Sequence, residues 1–197
     1  MNIQCLQQFT NDAVIKIVPE ANKTYVRRYW PIVFMALNEQ NLDDASMILM
    51  ALGTIAAETG NFNICVREYV SRYNTSSQGR KIGHTFDLYD AREDLGNKSK
   101  PDGYDYRGGG AIQLTGRYNF REIGKKMKVP LDKYPDLIGN PIISARALAL
   151  FLKSKQTSIG RALGRYDLKE ARRLVNGGSH GLDRFTETYK RGLEYLK

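Results

Sequence analysis

Cysteine is almost absent from this chain: Cys5 and Cys65 are the only two in 197 residues. Two widely separated cysteines cannot build a disulfide scaffold, so free thiols are expected. Histidine is equally scarce. His84 and His180 stand in no recognisable ligand pattern, so no metal and no cofactor are expected. Nucleophilic catalysis through a Cys-His or Ser-His pair would need one of these histidines, and neither lies in a motif that supports it. Apolar runs of membrane-spanning length are missing, and the start MNIQCLQQFTNDAV has no basic stretch followed by an apolar one. Neither export by a standard signal nor stable membrane association is therefore expected. Repeats and low-complexity stretches are absent too. Residues 1–197 are read as one domain, long enough to bury a core without staples.

What the chain does have is positive charge. Thirty Lys and Arg against 21 Asp and Glu give a net +9, within an ordinary 42% hydrophobic and 26% charged composition. Such an excess favours polyanionic partners. The basic residues are spread along the chain (Arg27, Arg28, Lys98, Lys100, Lys125, Lys126, Lys128, Arg172, Arg173) rather than gathered in a tail. No zinc-finger or RNA-binding signature accompanies them, so nucleic acid is not the expected partner.

Most of the sequence reads as helix. Tyr25, Val26, Tyr29, Trp30, Val33, Phe34 and Leu37 recur at helical spacing, with Pro31 expected to kink or restart the run. Asp43 or Asp44 opens a second helix carrying Met47, Ile48, Ala51, Leu52 and Ile55, which stops near Gly60. Residues 63–105, rich in Ser, Asn, Gly and charge, read as irregular loops or short strands. Asn140-Pro141 is an N-cap and first-turn pair opening a helix through Ala145, Leu148, Ala149 and Leu152. Asp167 with Glu170 forms a capping box, and Gly177 ends the helix it starts. Leu182, Phe185, Tyr189, Leu193 and Leu196 make a last amphipathic helix. The fold class is mainly α.

Glu58 stands out chemically. It follows Ile55 by three and Ala51 by seven positions, which sets it on or beside the apolar stripe of its helix. A carboxyl there loses hydration and its pKa rises, as a general acid needs. A second carboxylate, Glu68, follows ten positions later. Were the helix to continue, about 15 Å would separate the two along its axis. A glycine at a helix end permits the chain to turn after Gly60 and bring the two closer. Further on, YRGGGAIQLTGRYNF (Tyr106–Phe120) joins three glycines to amide, hydroxyl, guanidinium and phenol groups, the set that pairs with sugar hydroxyls and N-acetyl groups.

That string resembles the GRG-x-IQLTGR-x-NY signature of the family 19 chitinase-like glycoside hydrolases, which include many phage endolysins. AAETGNF (Ala56–Phe62) is similar to the family's HE-[ST]-GGF segment, and REYVSRYNT (Arg67–Thr75) to the segment bearing the second acid. YDAREDLGN (Tyr89–Asn97) matches a motif of the bacterial and phage branch, and VNGG (Val175–Gly178) and HGLDRF (His180–Phe185) fit near the C-terminus. The resemblance implies a two-lobed, lysozyme-like, mainly α fold with a small β part and a cleft between the lobes. It places Glu58 on the proton donor, Glu68 on the base and Thr115 on the hydroxyl that positions the catalytic water. Gln113 and Asn119 match sugar-binding amides, and Tyr118 falls where a ring packs on a sugar face. Asn176 matches an amide near the cleft floor, and Arg184 an arginine paired with an acid near the site. Asp87, Asp90 and Glu93 are fallback acids, the latter two read as loop-structuring charges. Ala57 departs from the family's histidine before the acid, and Gly109 from the arginine of GRG.

The implied reaction is hydrolysis, with inversion, of β-1,4 bonds next to N-acetylated sugars, without metal or cofactor. The partner is a polysaccharide, peptidoglycan or chitin. Small size, lack of a chitin-binding module, the basic charge and the LGN segment favour peptidoglycan. A catalytically silent carbohydrate-binding protein on the same fold is the alternative, against which the presence of Glu58, Glu68 and Thr115 argues. The expected form is a monomer, made in the cytoplasm and acting on the wall after release by a holin, lysis or a dedicated secretion system.

Overall fold

The computed structural model describes residues 7–178 and 180–197, so Cys5 lies outside it, whereas Cys65 is a half-buried free thiol. The first three helices each start on a side-chain cap. Thr10 accepts from Ala13 N of α1 (Asn11–Ile17), Asn22 from Thr24 N and Tyr25 N of α2 (Lys23–Glu39), and Asp44 from Met47 N of α3 (Ala45–Thr59). These caps satisfy amides that a first helical turn leaves without partners. Pro31 does not restart the run: α2 continues through it from Lys23 to Glu39. It sits on the exposed side, where water can take the carbonyl it frees, while Val26, Tyr29, Trp30, Val33 and Leu37 stay buried. Trp30 Nε1 also donates to Phe9 O at 2.6 Å and ties α2 to the N-terminal segment.

All residues from Met47 to Ala57 are buried, so α3 is a core helix enclosed on every side. Its end is abrupt: Gly60 takes φ +68° and donates back to Ala56 O. The chain then enters a loop-rich segment containing only the short helices α4 (Ser77–Lys81) and α5 (Asp102–Asp105) and two single 3₁₀ turns. Its β content, among the described residues, is one antiparallel bridge between Arg67 and Gly109. Polar side chains organise this lobe. Asp87 takes the amide of Ser76 at 2.8 Å and its hydroxyl as well. Asp90 accepts from Gly103 N at 2.9 Å and lies 2.6 Å from His84 Nε2. Asp87 and Asp90 thus hold turns together.

The chain returns to helix in α6 (Arg117–Met127), α7 (Pro141–Gly164), α8 (Leu168–Asn176) and α9 (Leu182–Tyr195). Asn140 caps α7 through Ile142 N and Ile143 N with Pro141 in the first turn. Asp167 caps α8 through Glu170 N, but the reciprocal half of the capping box is missing. The Glu170 carboxylate turns to Arg173 instead, in a two-point contact of 2.7 and 2.8 Å. Helices α7 and α9 pack on α3, α2 packs on α7, and α8 lies against α7 and α9. One contiguous apolar cluster runs through this helical body. Among the described residues, no helix is long and apolar enough to cross a membrane.

Candidate active site

Between the helical body and the loop-rich lobe lies a cleft of about 480 Å³. Glu58, Phe151, Val175, Asn176 and His180 line it from the helical side. Glu68, Tyr89, Gly108, Gln113, Thr115 and Asn119 line it from the lobe. The turn at Gly60 brings Glu58 and Glu68 to a common cavity.

The two carboxylates live in different surroundings. Glu58 occupies the last turn of α3, and its side chain is 10% exposed. Burial pushes its pKa up, against the opposing pull of the Arg172 guanidinium and, less strongly, of His180. Arg172 Nη2 donates to Glu58 Oε1 at 2.7 Å. Arg172 itself is wholly buried and is anchored by Nε and Nη2 donating to His180 O at 3.1 and 2.9 Å. Its Nη1 has no partner among the described residues. Glu68 is half-buried and accepts from three donors: Asn74 Nδ2 at 2.9 Å, Tyr89 Oη at 3.1 Å and Gly108 N at 3.1 Å. Tyr89 has its pKa pushed up to about 12 by burial and by the Glu68 charge, so it keeps its proton and donates. Asn74 is fully buried and satisfied, its Oδ1 accepting from Ser71 N and Thr75 Oγ1.

Gly108 belongs to this arrangement because of space. A Cβ there would lie 2.8 Å from Gln113 Oε1 and 3.1 Å from Glu68 Oε2, so a side chain would force the Gln113 amide to shift and would crowd the carboxylate. Gln113 adopts φ +48° and returns its Nε2 to Gly110 O at 3.1 Å. Thr115 Oγ1 donates to Gln113 O at 2.9 Å, and Asn119 Nδ2 to Thr115 O at 2.8 Å. Asn176 Nδ2 reaches His180 O at 3.3 Å, the carbonyl that also receives Arg172.

Two expected site residues lie elsewhere. Tyr118 is not in the cleft wall; it is 52% exposed and packs beside Gly96, with Arg121 over its ring. Arg184 pairs with no acid among the described residues. It is exposed and donates to Ala56 O at 3.4 Å, at the carbonyl end of α3 where a cation is favoured. The arginine that does meet Glu58 is Arg172, which in the sequence was counted only among the scattered basic residues. Its signal was present, since Leu168 four positions before and Val175 three after put it on the inward stripe of α8. Asn74, Tyr89 and His180 also escaped notice, because polar residues in loops carry no periodic signature.

Both departures from the family pattern have local reasons. A Cβ on Gly181 would lie 3.0 Å from Ala57 Cβ, so the turn into α9 passes close over residue 57. At Gly109 a Cβ would meet Ile138 at 2.7 Å and Arg67 Cδ at 2.8 Å. The Arg67 guanidinium occupies that region and donates to Pro135 O and Asp105 O at 2.8 and 2.7 Å.

No family model matches the chain, and no curated protein matches it in sequence. Among solved structures it is similar to the crystal structure of chitinase C from Streptomyces griseus HUT6037. The match has a TM-score of 0.62 over 95% of this chain and 76% of that one, at 15% identity. A likeness at that identity establishes architecture. The mainly helical fold is that of a chitinase domain, with a cleft between a helical body and a loop-rich lobe.

Proposed function

We propose that the protein is a glycosidase cleaving β-1,4 bonds of an N-acetylhexosamine polymer by an inverting, two-carboxylate mechanism, with peptidoglycan as its substrate. One observation carries this reading. A buried carboxyl with a raised pKa and a carboxylate held by three donors face one cleft, which is the division of labour between acid and base. Glu58 delivers its proton to the glycosidic oxygen. As negative charge develops on Glu58, the Arg172 guanidinium is already in place to stabilise it. Glu68 takes a proton from a water that Thr115 helps to orient, and that water attacks from the opposite face of the sugar. Gln113, Asn119 and Asn176 offer amides to N-acetyl and hydroxyl groups. In this proposal the protein reaches the wall by cell lysis, holin action or dedicated secretion.

Inversion has a direct readout. NMR of the first-formed anomer should show the configuration opposite to that of the cleaved bond. Retention would require a nucleophile or substrate assistance and would remove Glu68 from the role of base. Mass spectrometry of digests of purified peptidoglycan and of chitin oligomers identifies polymer and bond from the reducing-end sugar.

Chitin is the second reading, favoured by the name of the structural neighbour. Charge separates the two. Hydrolysis of anionic peptidoglycan by a +9 protein should fall as salt rises, because screening shortens the reach of exposed charges. Cleavage of a neutral chitin oligomer should respond far less. Equal salt dependence on both substrates would remove charge as a reason to prefer peptidoglycan.

A further inference from the structure

Immediately after Glu68 the chain exposes a run of apolar surface that the cleft does not use. Tyr69 is 79% and Tyr73 is 73% exposed, and Val70 and Leu88 are exposed as well. These residues surround Asn74. Asn74 Nδ2 donates to Tyr69 O at 2.9 Å while also holding Glu68, and Asn74 O accepts from Leu88 N at 3.3 Å. Ser71 N to Asn74 Oδ1, Thr75 N to Ser71 O and Tyr73 N to Ser71 Oγ close the loop. Arg72 lies over the Tyr73 ring at 4.9 Å and donates to its hydroxyl at 2.8 Å. A loop tied this thoroughly, yet presenting two phenol rings and a guanidinium to water, is organised in advance for a ligand.

We propose that the Tyr69–Tyr73 loop is a second binding platform, seating the peptidoglycan strand where it continues beyond the cleft. This inference rests on the proposed hydrolase reading and names an element of substrate selection within it. Continuity supports it: the platform begins at the residue next to Glu68 and shares Asn74 with it. Chemistry supports it too. Phenol rings offer an apolar face to sugar rings and a hydroxyl to their polar edge. Arg72 adds a fixed cation suited to the carboxylates of peptide stems, which chitin lacks.

Co-sedimentation with insoluble peptidoglycan tests the platform apart from catalysis, using Glu58→Gln so that nothing is cleaved. Tyr69→Ala and Tyr73→Ala should each weaken binding roughly 2–10-fold, and the double variant more. Arg72→Gln should weaken binding to peptidoglycan and leave binding to insoluble chitin unchanged. In the active background, kcat/KM on peptidoglycan should fall to a similar extent, while cleavage of a short N-acetylglucosamine oligomer that fits the cleft stays as in wild type. Unchanged co-sedimentation of the double variant overturns the platform. Equal losses on the short oligomer and the polymer overturn it as well, since they would mean that Glu68 had moved. For Arg72→Gln, a loss on chitin as large as that on peptidoglycan overturns the choice of occupant. A wild type that hydrolyses neither polymer sinks the hydrolase reading alone, because co-sedimentation still reports on the platform.

Discussion

Glu58→Gln should keep the fold and lose hydrolysis by about 10²–10⁴-fold, the range that general acid–base catalysis supplies. Glutamine preserves the shape and can still meet Arg172 through its amide oxygen, so the packing at the end of α3 survives. It cannot deliver a proton. Circular dichroism and a melting curve would establish the fold, and initial rates on peptidoglycan the loss. A variant retaining more than about a tenth of wild-type activity would exclude Glu58 as the acid.

Arg172→Met should produce the second large effect, on both stability and pH dependence. Removing one member of a buried ion pair costs about 3–5 kcal/mol when the survivor stays charged. Glu58 can escape part of that cost by keeping its proton, so the loss should depend on pH. The folded-state pKa of Glu58 already lies above its ordinary 4.5, because burial outweighs Arg172. A group raised in the folded state contributes stability that is present below the unfolded value and lost as pH rises through the folded one. Without Arg172 the folded value moves higher still. The variant should therefore approach wild-type stability in acid and fall furthest behind at neutral and higher pH. Because the acid must be protonated to act, the alkaline limb of kcat/KM should also move to higher pH. Melting temperatures and rates across a pH series measure both. An alkaline limb that stays in place would make Arg172 a packing residue with no hold on the Glu58 proton.

The helical frame was readable because its signals are local and periodic. Asp44, Asn140 and Asp167 all cap the helices they announce, and Gly60 and Gly177 end theirs. Pro31 misled, since the propensity of one residue is overridden when the flanking turns bury their apolar face. Glu58 could be singled out from its neighbours on one helix. The surroundings of Glu68 could not, because they depend on where the 63–116 loops cross. Tyr89 and Gly108 are brought to it by hydrogen bonds between residues 21 and 40 positions apart, and Asn74 by the turn that follows Glu68. Arg184 was assigned the contact that Arg172 makes, for a similar reason. Which of two arginines enters the body depends on the packing of α8 and α9 against α3, and the HGLDRF string says nothing of that packing.

Glu58 and Glu68 are held by different forces, and they do not share a fate. Glu58 rides on a helix fixed by apolar contacts over its whole circumference, whereas Glu68 is set by Asn74, Tyr89 and a single bridge from Arg67 to Gly109. Apolar packing grows weaker as the temperature falls, while polar networks answer chiefly to competing hydrogen-bonders. Urea at concentrations too low to melt the helical body can loosen the lobe around Glu68 first. The width of the cleft is then a property of the lobe, and the working range of the site ends where the lobe's hydrogen bonds do.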